Sequence, residues 1–557
     1  MKNPDTKLSR ASQICLASIA TVVLLRLLSL PFPDLIDSTE GRYASVAKLM
    51  IARNDWVTPW INLHGVEQPY NGKPPLHFWL MQISFLILGF TNFAARLPGV
   101  VSSLGIALCL GLAARTLAGP VAGYIAALIF LSSTITFFLS GAAVLDMTLT
   151  FGITLALIGF LLCERSRLWG YMSFLGAAIG MLVKGPLAIV IPGLVVVPWA
   201  IVQRYRSGRW PRQFSDLPWV TGTLLFLAVA APWYALAELK TPGFLEYFFV
   251  NENFGRYLRK DYGDQYGVGH RQPFGAVWAM MIPALIPWSF LLLAWLFIGR
   301  REIFSRSSLG RIADDSPLLF SVLWALSCPL LLTTARQYTG TYIVPSIPGF
   351  ALMGALLCHS RIEPHEPARL FAIKGCRALS ALMAVVVVIG SIIGAIRYDT
   401  PIILLPVCFG MAALFLFSLR VNVRDISLVK EIARVSICTA AMFALASFAW
   451  NNNLSNNRST RRVLAVASSL AKPGAPELRI GFSLYFPFSA TFFGPLETSP
   501  PLRILNVDEG EITGSNADLL VVRKRNEEKF LEVSPGREKL AQIGQWRIYR
   551  GSGGNAR

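Results

Sequence analysis

Six basic and acidic side chains stand in or beside loops that interrupt long apolar runs in this chain, where an ionisable group is costly to keep and marks a candidate site. Lys73 lies in Tyr70-Asn71-Gly72-Lys73-Pro74-Pro75. The two prolines forbid a helix through the lysine and hold it in an extended or turn geometry. A lysine fixed at head-group level, with Tyr70 and Trp79 as interface anchors, suits a lipid-linked phosphate. The plain alternative is a lysine that snorkels beside a membrane segment. Glu40 and Arg42 open a stretch to Arg53 with helical spacing: Tyr43, Val46, Ala47, Met50 and Ile51 share a face, and Arg42, Lys48 and Arg53 lie elsewhere. That pattern predicts an amphipathic helix on the membrane surface, its bases on lipid phosphates. Its acid either satisfies the helix dipole or meets a substrate at the membrane edge. Asp146, in GAAVLDMTLTF, begins an apolar run, and Lys184, in MLVKGPLAIVIPG, ends one. Each is a helix-end charge or a site residue. Arg256 follows Asn251-Glu252-Asn253-Phe254 in a loop, 237–274, that also holds Arg259, His270 and Arg271 among many aromatics.

The elements that must position these groups are membrane spans. The 557 residues are 54% hydrophobic and 15% charged, which excludes a disordered chain and an ordinary soluble enzyme. A net charge of +19 could point to nucleic acid. Here the arginines fall in short clusters between apolar runs, and no basic stretch has the aromatic interleaving of such binders. They read as topology charge on cytoplasmic loops. The eight cysteines form no CxxC pair and sit mostly in apolar runs, so neither a disulfide nor a cysteine-held metal is implied. The run from Ile14 to Leu30 is interrupted by Arg26 and no small-x-small cleavage site follows, which predicts an uncleaved first span.

Apolar runs at 11–31, 97–114, 120–139, 147–163, 168–183, 186–203, 218–236, 275–298, 317–334, 341–358, 378–396, 401–419 and 432–450 give about thirteen spans. With the N-terminus inside, alternating sides put the arginine clusters at 204–212, 300–311, 361–377 and 420–434 on the cytoplasmic face. Residues 76–90 are apolar but short. If they crossed, every later cluster would move outside, so they are expected to be re-entrant or interfacial. The outer face then holds the first loop, 32–96, the turns at Asp146 and Lys184, the loop 237–274, and the turn from Arg336 to Thr341. After residue 452 the long runs stop. RIGFSLYF, LRILNV, ADLLVVRK and QWRIYR read as short strands between Pro, Gly and Asp turns. The chain is thus divided into a membrane domain, 1–452, and a small outer α/β domain, 453–557.

EGRY at 40–43, NDWVTPW at 54–60, Y-x-x-KPPL at 70–76, LDM at 145–147, LVKGPLA at 182–188 and TYIVPSIP at 341–348 resemble the bacterial aminoarabinose (4-amino-4-deoxy-L-arabinose) transferase branch of the GT-C membrane glycosyltransferases. That branch is related to the protein O-mannosyltransferases. The resemblance implies a GT-C fold with a C-terminal periplasmic domain in the bacterial inner membrane; the chain is expected to work as a monomer. It implies a donor sugar on undecaprenyl phosphate and, as acceptor, a lipid A phosphate or another lipopolysaccharide group on the periplasmic side. It also implies that Lys73 and Arg256 hold the lipid phosphate with Arg42 as the basic residue of the first-loop motif. Tyr70 and Tyr342 would line the site, with Lys184 in the same cavity, and Asp146 would be the acid of the second outer loop. Thr39 stands where the family commonly has an acid, and Tyr338 where it has a lysine. Gly72 and Asn251 stand at its zinc ligands, so no zinc is expected there and no cofactor is named, a different divalent metal being left open.

Glycosyl transfer from a lipid phosphate needs cations on the departing phosphate, which Lys73, Arg256 and Arg42 supply. A phosphate acceptor is already anionic and needs no strong base. A hydroxyl acceptor needs one, from Asp146 or Glu40; Asp146 is the favoured residue, in an inverting single displacement. Within the class, the rival readings are transfer to core oligosaccharide or mannosylation of protein. Outside it, a lipid-linked sugar transporter would show repeats or paired broken helices with polar groups at midplane. The third rival is a non-catalytic assembly protein.

Overall fold

The computed structural model describes residues 9–255, 258, 263–264, 266–268, 270–289, 316–359, 366–397, 404–417, 427–494 and 500–556. Arg256 and Arg259, and parts of the expected spans 275–298 and 401–419, lie outside them.

Helix α1 (Arg10–Ser29) is capped by Ser9, whose side chain accepts from the Ser12 amide. Thr91 caps α4 (Asn92–Ala118) in the same way, and Gly119 ends it at a φ of 91°. Pro120 at the first position then starts α5 (Pro120–Ser132), where its missing N–H costs nothing. α5 and α6 (Thr134–Ser140) bend by 71° at Ser133. Among the described residues eight helices are long and apolar enough to cross a bilayer, or nine if that bent pair is one span.

α7 (Asp146–Leu162) and α8 (Arg167–Lys184) run antiparallel, with glycines between them. A Cβ at Gly152 would lie 2.7 Å from the Gly180 nitrogen and 2.8 Å from the Gly176 carbonyl oxygen. Small residues let membrane helices approach backbone to backbone. The first residue of α7 and the last of α8 are thereby brought side by side. Beyond them follow α9 (Leu187–Ser207), α10 (Trp219–Lys240) and a π-helix, Glu246–Gly255. Then come α11 (Ser316–Thr333), a 3-10 turn at Gly340–Ser346, α12 (Ile347–His359), α13 (Glu366–Arg397), α14 (Leu404–Phe417) and α15 (Leu428–Ala449). α15 packs along α1.

The first loop is a folded layer. α3 (Leu76–Leu88) starts directly after Pro74 and Pro75. Its 13 residues span about 20 Å, short of a hydrocarbon core of about 30 Å, as expected for residues 76–90. Strands β1 (Trp60–Leu63) and β2 (Val66–Pro69) form a hairpin ahead of it.

α2 (Thr39–Ala52) departs from expectation. It does not lie with its bases on lipid. Most of its length is buried, against α3 on one side and the C-terminal domain on the other. The Lys48 ammonium donates to the Phe492 carbonyl at 2.6 Å, and Arg53 pairs with Glu67 at 2.7 Å. Partners within the protein, one of them 444 residues away, take up the charges that a surface helix would offer to phosphates.

The C-terminal domain is a five-stranded mixed sheet of β3 (Leu478–Ser483), β4 (Leu502–Val507), β5 (Leu519–Arg523), β6 (Lys539–Ile543) and β7 (Trp546–Arg550), in the order β4-β3-β5-β7-β6. β3 is parallel to β4 and β5, while β7 is antiparallel to β5 and β6. Helices α16 (Arg461–Ser469), α17 (Phe488–Phe493) and α18 (Glu527–Val533) complete it, and α17 rests on α2. A Cβ at Gly41 would lie 2.8 Å from the Ser489 nitrogen, so the glycine inside EGRY lets α2 and α17 touch.

Candidate active site

The turn that carries Lys73 is clamped from outside. The Tyr266 hydroxyl accepts from the Asn71 amide at 2.9 Å and donates to the Pro69 carbonyl at 3.1 Å. Tyr70 packs edge-on against Tyr266, 4.6 Å between ring centres. Lys73 therefore points inward, 7% exposed, and donates to its neighbour Gly72's carbonyl at 2.6 Å and to Glu252 of the π-helix. A snorkelling lysine would leave its ammonium in water or head groups. This one is buried and paired.

Across the cavity the Lys184 ammonium donates to Asp146 Oδ1 at 2.9 Å and lies 3.9 Å from the centre of the Tyr342 ring. Arg42 reaches in from α2. Its Nη1 donates to the Tyr266 carbonyl at 3.3 Å, its guanidinium lies over the Tyr43 ring, and its Nε has no hydrogen-bond partner among the described residues. Burial disfavours the Arg42 charge, yet Tyr70, Tyr43 and Glu252 around it hold its proton affinity above the ordinary guanidinium value. Burial pushes the Tyr70 phenol well above its usual range, so it stays a neutral wall and donor.

These groups line one cavity of about 590 Å³, shared by Arg42, Tyr70, Lys73, Asp146, Lys184 and Tyr342, which were expected in the site, and by Tyr43, Glu252, Tyr266 and Tyr338, which were not so assigned. A narrower space of about 100 Å³ continues from the same lysines between apolar side chains, among them Leu149, Leu187, Ile191 and Leu332. The arrangement offers three cations, two carboxylates and several phenols at one end, and a greasy slot at the other. It can hold an anionic head group with an apolar tail.

Two candidates fall elsewhere. Arg256 lies outside the described residues. Glu40 faces away from this cavity, and its assignment as a catalytic acid is corrected. Its two oxygens each take a donor from Arg96 at 2.9 Å, and they also accept from the Ala143 and Ile36 amides. With its acceptor capacity spent on four donors it ties α2 to α4 and to the approach to α7. It is a positioning residue. Glu252 was overlooked as a site residue. Its only signal in the chain was an acid set between asparagines ahead of Arg256.

The zinc ligands of the resembling family have no counterpart at their place. Gly72 has no side chain, and a Cβ there would already lie 3.0 Å from the Tyr70 ring and 3.2 Å from that of Tyr266. The residues present do not fit the metal, and no step below passes through one.

Comparison with known proteins adds the following. A family model described as dolichyl-phosphate-mannose-protein mannosyltransferase matches residues 72–235. The undecaprenyl phosphate-alpha-4-amino-4-deoxy-L-arabinose arabinosyl transferase of Edwardsiella ictaluri is 31% identical over 341 residues, 60% of this chain and 57% of that protein. The match thus spans little more than half of that relative's length. The enzyme of the same name from Shewanella sediminis is 27% identical over 503 residues, 85% of each chain. Among solved structures, ArnT from Cupriavidus metallidurans bound to undecaprenyl phosphate has a TM-score of 0.74 at 19% identity, covering 96% of this chain and 97% of that one. The apo Archaeoglobus fulgidus oligosaccharyltransferase has a TM-score of 0.50 at 12% identity, covering 95% and 72%.

Proposed function

We propose that this chain, which has the GT-C membrane fold and resembles the aminoarabinose transferase branch in sequence, moves a sugar from undecaprenyl phosphate to lipid A or another lipopolysaccharide acceptor on the periplasmic side of the inner membrane. The observation that carries the reading is the convergence of Lys73, Arg42 and Lys184 on one cavity that narrows into an apolar slot. The donor phosphate lies against Lys73 and Arg42, with the first isoprene units in the slot. An acceptor oxygen attacks the anomeric carbon from the opposite face, the bond from that carbon to the donor phosphate breaks, and undecaprenyl phosphate leaves with its negative charge held by the cations. The configuration inverts.

Asp146 accepts from Lys184 through Oδ1 and lines the cavity. It orients a phosphate acceptor, or takes the proton of a hydroxyl acceptor. With Glu40 committed to Arg96 and Glu252 paired with Lys73, Asp146 is the carboxylate left for that role among the described residues. The names of the relatives support the donor sugar and its undecaprenyl phosphate carrier; the lipid A acceptor rests on the motif resemblance, and the protein- and core-oligosaccharide-directed rivals differ from it only in what stands opposite Asp146.

The test is transfer by the full chain in lipid nanodiscs, with undecaprenyl-phosphate aminoarabinose as donor. Lipid A, its dephosphorylated form and core oligosaccharide serve as parallel acceptors. Lys73→Ala is expected to lower transfer by roughly 10²–10³-fold, the usual scale for losing one preorganised charge on a leaving group. It should also lower the melting temperature because the buried Glu252 carboxylate loses its partner, so turnover is compared per folded protein. Normal turnover by that variant overturns the donor site. Transfer to dephosphorylated lipid A or core, but not to lipid A, moves the acceptor to the rival.

A further inference from the structure

Arg26 interrupts the first apolar run, and the active cavity makes no use of it. It sits one turn from the end of α1 and is 7% exposed. Its Nη1 donates to Ser29 Oγ at 2.8 Å, its guanidinium lies 4.9 Å from the centre of the Phe137 ring, and its Nε has no hydrogen-bond partner among the described residues. The guanidinium fills the space that a side chain at Gly141 would take, so the glycine makes room for it.

Arg26 faces a separate cavity of about 410 Å³ between the ends of α1, α6 and α15, on the far side of α2 from the active cavity. Among the described residues the other charged groups in its wall are Arg96 and Glu40. They satisfy one another: Arg96 gives Nε and Nη2 to Glu40 and Nη1 to the Leu30 and Pro33 carbonyls. The cavity is left with one positive charge, on Arg26, in walls that are otherwise mostly apolar. Phe32, Phe138 and Trp450 line it and are 36%, 42% and 47% exposed, so it opens at an aromatic rim of the kind found at a membrane interface. Leu24 and Leu28 of α1, both more than half exposed, continue an apolar surface from Arg26 along the helix.

A buried charge is retained when something pairs with it. We propose that this cavity binds an anionic membrane phospholipid, its phosphate on Arg26 and its acyl chains along α1 and α15, as a second lipid site distinct from the donor site. The apolar walls need a tail as well as an anion, which a free phosphate lacks. With Glu40 committed to Arg96, no carboxylate among the described lining residues remains to receive the ammonium of a zwitterionic head group, so a net negative lipid is selected. Because Glu40 forms this wall while Arg42 forms the other, one helix start separates the bound lipid from the reacting groups.

The experiment is native mass spectrometry of the full chain, delipidated in detergent and titrated with phosphatidylglycerol, phosphatidylcholine or inorganic phosphate. Wild type is expected to retain one phosphatidylglycerol at least fivefold more than phosphatidylcholine, with millimolar inorganic phosphate unable to displace it. Arg26→Met should lose that preference and Arg26→Lys keep it. If Arg26→Met does not fold, Ala446→Phe, which fills the cavity without touching the charge, provides the same reading. Equal retention of the two lipids, a preference unchanged in the folded variant, or displacement by phosphate alone overturns the proposal. Retention is read without turnover, so the result is independent of the transfer assay.

Discussion

Asp146 and Lys184 hold each other at 2.9 Å, both nearly buried, in the wall of the cavity that Lys73 also lines. Removing one member of such a pair leaves an uncompensated charge, which costs about 3–5 kcal/mol, whereas removing both is close to neutral for stability. Lys184→Met is therefore expected to lower the melting temperature and abolish transfer. Asp146→Asn combined with Lys184→Met should recover the melting temperature while transfer stays lost. Thermal unfolding and turnover on the same preparations check this. If the stability losses of the two single variants simply add, the pair is not the closed unit described here. The lysines and Asp146 were legible in the chain because ionisable groups beside apolar runs are few and stand out. The Lys73–Glu252 pair was not, since 179 positions separate its members and nothing local aligns them. Glu40 misled for the same reason, its arginine partner lying 56 residues on.

Helices α7 and α8 convert a sequence feature into site geometry. Their glycines bring the backbones together, and the approach sets Asp146 against Lys184. Gly152→Ala would put a methyl 2.7 Å from the Gly180 nitrogen, where the neighbour is backbone and cannot swing aside. Overpacking of this kind costs about 1–3 kcal/mol. The expected outcome is a lower melting temperature and at least a tenfold loss of transfer. Gly390→Ala, where a Cβ meets nothing within 4 Å, serves as the control and should leave both unchanged. Transfer by Gly152→Ala equal to the control would mean that helix spacing does not govern the site. At this scale periodicity and length read well: the short α3 and four of the five strands of the C-terminal sheet were visible in the chain. The missed strand, Lys539–Ile543, reads KLAQI, with too few β-branched or aromatic residues to announce itself. α2 showed the right helical face but the wrong environment, because only the fold reveals what stands opposite Lys48.

At the scale of the whole molecule, the C-terminal domain is fastened to the membrane domain through Asp37. Its Oδ1 accepts from the Ser489 amide at 2.8 Å, its Oδ2 meets the Ser489 hydroxyl, and its own amide donates to the Arg458 carbonyl at 2.8 Å. Burial pushes the Asp37 carboxyl up from 3.8 to about 6, against the opposing pull of Ser489 and Arg523. The docked state then binds a proton more tightly than the undocked one. Above pH 6 the carboxyl is ionised in both, and the cost of burying that charge is fully present. As the pH falls from 6 towards 3.8 the docked state takes up its proton first, so docking strengthens, by about 3 kcal/mol at 1.36 kcal/mol per pKa unit. Asp37→Asn keeps an acceptor for the Ser489 amide and a donor for its hydroxyl but has no proton to gain. The stability of wild type measured against that variant should therefore rise as the pH is lowered from 7.5 to 4.5. Taking the difference cancels the other carboxylates, such as Asp518, whose depressed value works in the opposite direction. Denaturant unfolding at each pH supplies the two curves. A gap that stays constant across the range would reduce Asp37 to a hydrogen-bonded contact and leave the docking of the C-terminal domain insensitive to acidity.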